Sequence, residues 1–117
     1  MQLQGIVTVA PDRQTAKGRY FLFAQNALPI PTGRLQMWGF GIYENDYVKE
    51  NGIWKLKKMH WYTQVGTPYD QGWVNVSFPP SGQSSLYPPD LPATVTYTAY
   101  PDMFVPPYSF PHPVTGE

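Results

Sequence analysis

The feature that most constrains this chain is the pair Asn51-Gly52, which lies between two long aromatic segments. A two-residue turn between antiparallel strands needs positive φ angles, and asparagine and glycine both tolerate them. The flanking segments, 34–49 and 53–63, are rich in aromatic and apolar residues that suit a pleated sheet. The sequence therefore predicts a long antiparallel hairpin that turns at residues 50–52.

A second strand pair is predicted upstream of this hairpin. The short segment 5–9 is apolar and rich in β-branched residues. A proline and an aspartate in 10–14 favour a turn between it and segment 15–25, which carries bulky side chains. Two prolines and a glycine in 26–33 predict a break in the pattern. Residues 1–76 are thus expected to form an antiparallel sheet of about four strands.

The last third of the chain has a different character, because 10 of the 14 prolines lie in residues 78–117. Proline nearly excludes helix there, yet the segment carries too many aromatic residues for an ordinary disordered linker. We expect residues 77–117 to form an extended tail, packed on the same domain or on a neighbouring subunit, with 93–100 as a short strand. The alternative is a polyproline ligand for an adaptor module, which the PxxP spacing supports weakly.

Composition excludes several classes of protein. In 117 residues, Lys and Arg balance Asp and Glu at 8 each, so the basic surface typical of nucleic-acid or anionic-membrane binding is absent. The absence of cysteine excludes disulfides, thiolate zinc sites and a cysteine nucleophile. With neither a signal peptide nor a long apolar run, the chain is expected to be soluble and cytoplasmic. Its high aromatic content favours a homo-oligomer, a dimer or larger.

Alternation along the first arm of the hairpin predicts two distinct faces. Glu44 and Asp46 share one face, and Gly39 and Gly41 lie on the other. Glycines within a strand indicate a bend or the close approach of a ligand. On the returning arm, the change from apolar residues to lysine at 57–58 suggests a bulge that shifts the alternation.

The hairpin resembles the last two long strands of SnoaL-like (polyketide-cyclase-like) domains of the nuclear-transport-factor-2-like superfamily. Its most specific part is the run from Tyr-Glu-Asn-Asp-Tyr (43–47) to His-Trp-Tyr (60–62). Residues 4–12 and 15–19 are similar to the preceding strand pair of that family. The segments Tyr-Asp-Gln-Gly-Trp (69–73), Phe-Val-Pro-Pro-Tyr (104–108) and Pro-Val-Thr-Gly (113–116) resemble the tail of one subgroup.

The resemblance implies an α+β fold in which a curved antiparallel sheet wraps around amino-terminal helices and leaves an apolar cavity at one end of a cone. This chain begins at the sheet, so it is expected to be mainly β, corresponding to the carboxy-terminal half of that fold. Either the sequence is a fragment or another subunit covers the sheet.

His60 is the candidate for proton transfer, because histidine titrates near neutral pH and the resemblance implies lyase or isomerase chemistry. Glu44 and Asp46 are the candidate catalytic carboxylates that orient it. Burial would raise the pKa of either carboxyl group, whereas cross-strand pairing with Lys55 or Lys57 would make both structural. A histidine that is hydrogen-bonded within the sheet, or simply solvent-facing, is the competing interpretation. The candidate substrate-binding residues are the hairpin aromatics Trp38, Phe40, Tyr43, Tyr47, Trp61 and Tyr62.

Two functions from different classes are consistent with these features. One is a SnoaL-like protein that binds an apolar, carbonyl-type small molecule and acts on it by acid-base catalysis. The other is a non-catalytic assembly or ligand-binding module that oligomerises through its sheet. No metal or cofactor is indicated, because His112 lies between two prolines without a second ligand at metal-binding spacing.

Overall fold

The computed structural model describes residues 1–77, 88–108, 110–112 and 114–116. They contain a four-stranded sheet with the order β1-β2-β3-β4, and no helix occurs in these ranges. The strands are β1 (Gln2–Val9), β2 (Thr15–Ile30), β3 (Gly33–Glu50) and β4 (Ile53–Pro68). The prediction of a mainly β chain with an antiparallel sheet of about four strands is confirmed.

The first hairpin forms as the sequence predicts. β1 pairs with β2 in antiparallel register, with Val7 opposite Gly18 and Val9 opposite Ala16. Arg13 takes a positive φ of 55° in the connecting turn. The backbone N–H of Ala10 donates to the carbonyl of Thr15 at 2.9 Å, which closes the loop.

The Asn-Gly turn joins β3 to β4. Asn51 and Gly52 have φ angles of 51° and 80°, the left-handed values that favour these two residues. Both strands are longer than predicted, and β4 continues to Pro68 instead of ending near residue 63. The hairpin is therefore confirmed, and its two strands extend further from the turn than predicted.

The predicted break at residues 26–33 is present but shorter than expected, because only residues 31 and 32 lie outside the strands. β2 continues through Pro29 to Ile30, and only two residues separate it from β3 at Gly33, whose φ is 140°. Proline interrupts a central strand because it lacks an N–H for the ladder. β1 pairs with β2 as far as Leu22, and Met1 bonds to Phe23. In the described sheet, the part of β2 beyond Phe23 therefore behaves as an edge and tolerates a proline.

The short strand predicted at residues 93–100 is also wrong, since no strand is assigned there. The polar groups near the end of this segment form hydrogen bonds with residues three or four positions away instead of with a neighbouring strand. The N–H of Asp102 donates to the carbonyl of Ala99 at 2.9 Å, and the Thr98 hydroxyl donates to the carbonyl of Asp102. Residues 78–87 of the predicted tail lie outside the described residues, as do positions 109, 113 and 117.

Contacts divide the chain into two compact units. The first comprises Met1–Phe23, Gly41–Tyr62 and Val105–Glu117, and its buried apolar residues are Ala16, Ile42 and Phe110. The second comprises Ala24–Phe40 and Thr63–Phe104, with Val65 and Thr67 buried. In the part of the chain that the structure describes, no helix is long and apolar enough to cross a membrane.

Candidate functional site

Strand β3 carries different chemistry on its two sides within the first unit. Successive side chains of a strand point to opposite sides, so Glu44 and Asp46 lie on one side and Tyr43 and Tyr47 on the other. The first side, here called the ion-pair face, is defined by Lys17, Arg19, Glu44, Asp46 and His60. The second side, called the tyrosine face, is defined by Tyr20, Tyr43, Asn45, Tyr47 and Trp61.

Arg19 is the most heavily engaged side chain of the ion-pair face. Its guanidinium forms a salt bridge with Glu44, and the two side chains are 6% and 9% exposed. It also donates to the carbonyls of Pro106 and Pro107 at 2.8 and 3.1 Å. The ring of Tyr108 lies 4.3 Å from the guanidinium carbon, a cation–π distance. Arg19 therefore fixes both Glu44 and the segment that begins at Val105.

Asp46 forms a second, more exposed ion pair. Its carboxylate accepts a hydrogen bond from Lys17 Nζ at 2.9 Å, and both side chains are partly open to solvent. Both carboxylates thus make the cross-strand pairs that the sequence offered as the structural alternative, but β2 supplies the cations instead of Lys55 or Lys57. Lys55 instead pairs with Glu50 at 2.6 Å, close to the turn. Both candidate carboxylates are thus held by cations from the neighbouring strand.

His60 points to the ion-pair face, because its neighbour Trp61 contacts Tyr43 on the tyrosine face at 4.8 Å. Its ring stacks on Tyr62, with centroids 4.1 Å apart. Burial, followed by the positive charge of Lys58, lowers the pKa of His60 below its ordinary value of 6.5. The negative charges of Glu44 and Asp46 oppose this shift without cancelling it. Burial is thus the dominant influence on this imidazole, and it favours the neutral form.

The orientation of His60 depends on a change of phase in β4. Trp54 lines a depression together with Tyr47, and Trp61 contacts Tyr43, so both tryptophans meet the tyrosine face. Two residues separated by an odd number of positions point to opposite sides of a regular strand. A shift in alternation therefore lies between them, as the lysines at 57–58 suggested.

The tyrosine face contains a short chain of polar groups. Asn45 Nδ2 donates to the Tyr47 hydroxyl at 3.2 Å, and the hydroxyls of Tyr47 and Tyr20 lie 3.5 Å apart. Tyr20 and Tyr47 also line a depression of about 230 Å³, and the other residues that line it are apolar. The residues that line it are Val7, Val9, Ala16, Tyr20, Tyr47 and Trp54.

The six predicted substrate-binding aromatics are distributed over both compact units. Tyr43 and Trp61 pack against each other on the tyrosine face, Tyr47 lines the depression there, and Tyr62 stacks on His60. The other two belong to the second unit, where Trp38 stacks on Tyr69 at 5.2 Å and Phe40 meets Trp73 edge-on at 6.3 Å.

Sequence reasoning missed four residues of these faces, and Arg19 and Tyr20 are the most consequential. A signal was present, because Arg19 is the charged residue that opens the apolar run Tyr20-Phe21-Leu22-Phe23. If this part of the sheet is buried, a charged side chain next to such a run needs an ion-pair or hydrogen-bond partner, because burying an unpaired charge costs free energy. Tyr20 was overlooked because nothing in the linear sequence associates it with Tyr47.

The second histidine has a structural environment. The backbone N–H groups of Val114 and Thr115 both donate to His112 Nδ1 at 3.2 Å, and the ring meets Tyr108 edge-on. No group of three or more histidine, aspartate or glutamate side chains is placed to hold a metal ion within the described ranges.

The fold and the chemistry of its faces define a class, a β-sheet domain with a partly buried histidine on one face and an apolar depression lined by two tyrosines on the other. A family model described as a SnoaL-like domain matches residues 1–60, slightly more than half of the chain. The chain therefore belongs to the SnoaL-like domain family, whose members generally bind small molecules. No curated protein matches the chain. Because the match ends at His60, the resemblance of the tail stays a prediction.

Proposed function

We propose that this protein binds a small, apolar carbonyl compound and transfers a proton next to its carbonyl group, in a lyase or isomerase reaction. His60 is the general base that removes the proton and the acid that returns it. The observation that carries the proposal is the placement of His60, which is stacked on Tyr62 at 4.1 Å and lies within the electrostatic influence of Glu44 and Asp46. The lowered pKa of His60 supports it, because a base must be unprotonated to accept a proton. Membership of the SnoaL-like family supports the small-molecule part of the proposal.

The surroundings of His60 support this role. A base needs an oriented ring, and the stack on Tyr62 restricts the imidazole. Glu44 and Asp46 favour the imidazolium that forms when His60 accepts a proton. Salt bridges to Arg19 and Lys17 hold the two carboxylates in place, so the position of each negative charge relative to the imidazole ring is fixed. Glu44 and Asp46 are accordingly positioning residues rather than proton carriers.

The test is exchange of hydrogen for deuterium at the α-carbon of cyclohexanone in D₂O, followed by NMR. His60 breaks the C–H bond to give the enolate, which then takes a deuteron from the solvent-exchanged imidazolium. The His60→Ala variant is expected to lose about 100-fold or more of the rate above buffer. His112→Ala is the matched control, because it removes the other histidine and should leave the rate unchanged.

The pH dependence provides a second readout. Asp46→Asn removes a charge that raises the pKa of His60, so the acid limb of the rate profile should move to lower pH. Full exchange activity in His60→Ala, or an unmoved acid limb in Asp46→Asn, would contradict the proposed proton transfer.

A second candidate function is assembly through the sheet, which we infer from β4. In the described sheet β4 is an edge strand, and its side chains are exposed from Ile53 to Met59. A long exposed edge strand is a template for pairing with another copy, and four apolar side chains are exposed on this one, Ile53, Trp54, Leu56 and Met59. Because Lys57 and Lys58 repel their counterparts across such a pair, association should strengthen with added salt. A solution mass by light scattering that equals one chain at both low and high salt would reject this candidate.

A further inference from the structure

The depression on the tyrosine face has no part in the proton transfer proposed for His60. It lies on the opposite side of β3, and His60 is not among the residues that line it. Three of its walls, Val7, Val9 and Trp54, keep between about 40% and 52% of their surface exposed. Such apolar surface around two hydroxyl groups has the composition of a small-molecule site, apolar walls with a few convergent polar groups.

Two glycines fix the geometry of the tyrosine pair. A Cβ atom at Gly5 would lie 2.1 Å from Cδ1 of Tyr20, so only glycine leaves room for that ring. A Cβ atom at Gly18 would lie 2.8 Å from Cε2 of Tyr20 and 3.0 Å from Cε2 of Tyr47. Both rings therefore rest directly on backbone, and their hydroxyl groups are held in place before any ligand arrives.

The hydroxyl pair retains a proton to donate. The Tyr47 oxygen already accepts from Asn45 Nδ2, and at most one of the two phenol protons serves the 3.5 Å contact between the hydroxyls. The hydrogen bond with Tyr47, together with burial, raises the pKa of Tyr20 to about 12. Tyr20 thus remains protonated across the physiological range, and its hydroxyl can donate a hydrogen bond to an acceptor.

Asn45 gives independent evidence of an unfulfilled polar requirement. Its side chain is 4% exposed, and its Oδ1 atom has no hydrogen-bond partner among the described residues. A buried amide oxygen without a partner is uncommon and costs free energy. Asn45 does not line the depression itself, but its Nδ2 atom connects it to the depression through the hydroxyl of Tyr47.

We propose that the depression is a binding site for a small, uncharged apolar molecule whose carbonyl oxygen accepts a hydrogen bond from the Tyr20–Tyr47 pair. The ligand is uncharged because none of the six lining residues carries a formal charge at neutral pH. It is small because about 230 Å³ lies below the roughly 300–1,000 Å³ of pockets for drug-sized ligands. The site needs no catalysis and is independent of His60.

The experiment compares two probes of similar size, acetophenone and ethylbenzene, by ligand-detected NMR titration of the full chain. Acetophenone should bind more tightly, because only it carries a carbonyl oxygen. Tyr20→Phe and Tyr47→Phe should each weaken acetophenone binding roughly three- to tenfold, the loss expected for one hydrogen bond, and leave ethylbenzene unchanged. Tyr69→Phe, which removes a hydroxyl in the second unit, is the matched control and should bind acetophenone like the unaltered protein.

An infrared measurement separates hydrogen bonding from a change in packing. The carbonyl stretch of bound acetophenone should move to lower wavenumber in the unaltered protein, and this shift should shrink in Tyr20→Phe. Equal affinity for the two probes, or unchanged acetophenone binding in both tyrosine variants, overturns the proposal. So does a dimer whose interface buries Val9 and Trp54 and excludes the probe. His60→Ala should bind acetophenone normally, so failure of the proton-transfer proposal leaves this one standing.

Discussion

At the scale of single residues, His60 links its local environment to the stability of the fold. Its pKa is lower in the folded chain than the ordinary 6.5, so the unfolded chain binds a proton that the folded chain rejects. Stability therefore rises with pH across the window between the lowered pKa and 6.5, and falls as the solution is acidified through it. We expect the urea midpoint to decrease from pH 7 towards pH 5.

The variant His60→Gln tests this assignment. It should flatten the dependence of the midpoint on pH in that window, because the titrating group is gone. His112→Gln should keep the dependence, because His60 remains in place. An unaltered slope in His60→Gln would show that another group is responsible for the acid sensitivity.

At the scale of secondary-structure elements, close packing between β3 and β4 depends on Gly41. A Cβ atom there would lie 2.1 Å from Cη2 of Trp61 and 2.4 Å from the backbone oxygen of Tyr62. The close approach that the glycine suggested thus comes from the chain's own tryptophan. Gly41→Ala must displace a ring or the backbone, and we expect a loss of about 1–3 kcal/mol in the free energy of unfolding.

Gly39 provides the control within the same strand. The nearest atoms to a Cβ at Gly39 are Ala24 Cβ at 3.6 Å and the Val65 oxygen at 3.8 Å, which are ordinary contacts. Gly39→Ala should therefore be neutral or slightly stabilising, by up to about 1 kcal/mol, because alanine restricts the unfolded chain. Urea unfolding of the two variants checks the difference, and equal losses would contradict the packing argument.

At the scale of the whole molecule, Arg19 joins segments that are far apart in the sequence. It binds Glu44 of β3 and the carbonyls of Pro106 and Pro107, 87 and 88 residues further along the chain. Arg19→Met would leave Glu44 buried beside an apolar group and remove both bonds to the tail. We expect a loss of roughly 3–5 kcal/mol in unfolding free energy and faster chymotrypsin cleavage after Tyr108.

Two further variants distinguish the buried charge from simple loss of contact. Adding Glu44→Gln to Arg19→Met removes the unpaired carboxylate and should restore part of the stability. Lys17→Met breaks the more exposed ion pair with Asp46 and should cost only about 0–1 kcal/mol. If Lys17→Met and Arg19→Met destabilise the protein equally, burial of the Arg19 pair has no special role.

The sequence determined the local elements of this protein. The Asn51-Gly52 turn, the loop after Val9 and the strand character of both hairpins follow from residue chemistry that acts over a few positions. The family of the chain was also legible in the residues of β3 and β4. Local residue preferences did not predict that β2 continues through Pro29, because the length of the neighbouring strand decides whether a proline is tolerated there.

Tertiary structure alone decided which candidate residues meet. Alternation in β3 separated Glu44 and Asp46 from Tyr43 and Tyr47, but one phase shift in β4 sets the face on which His60 lies. The pairing of β2 with β1 and β3 brought Arg19 to Glu44 and Tyr20 to Tyr47, contacts across 25 and 27 residues. Such pairs depend on strand register, and a shift of one residue exchanges the two faces, so no local pattern encodes them.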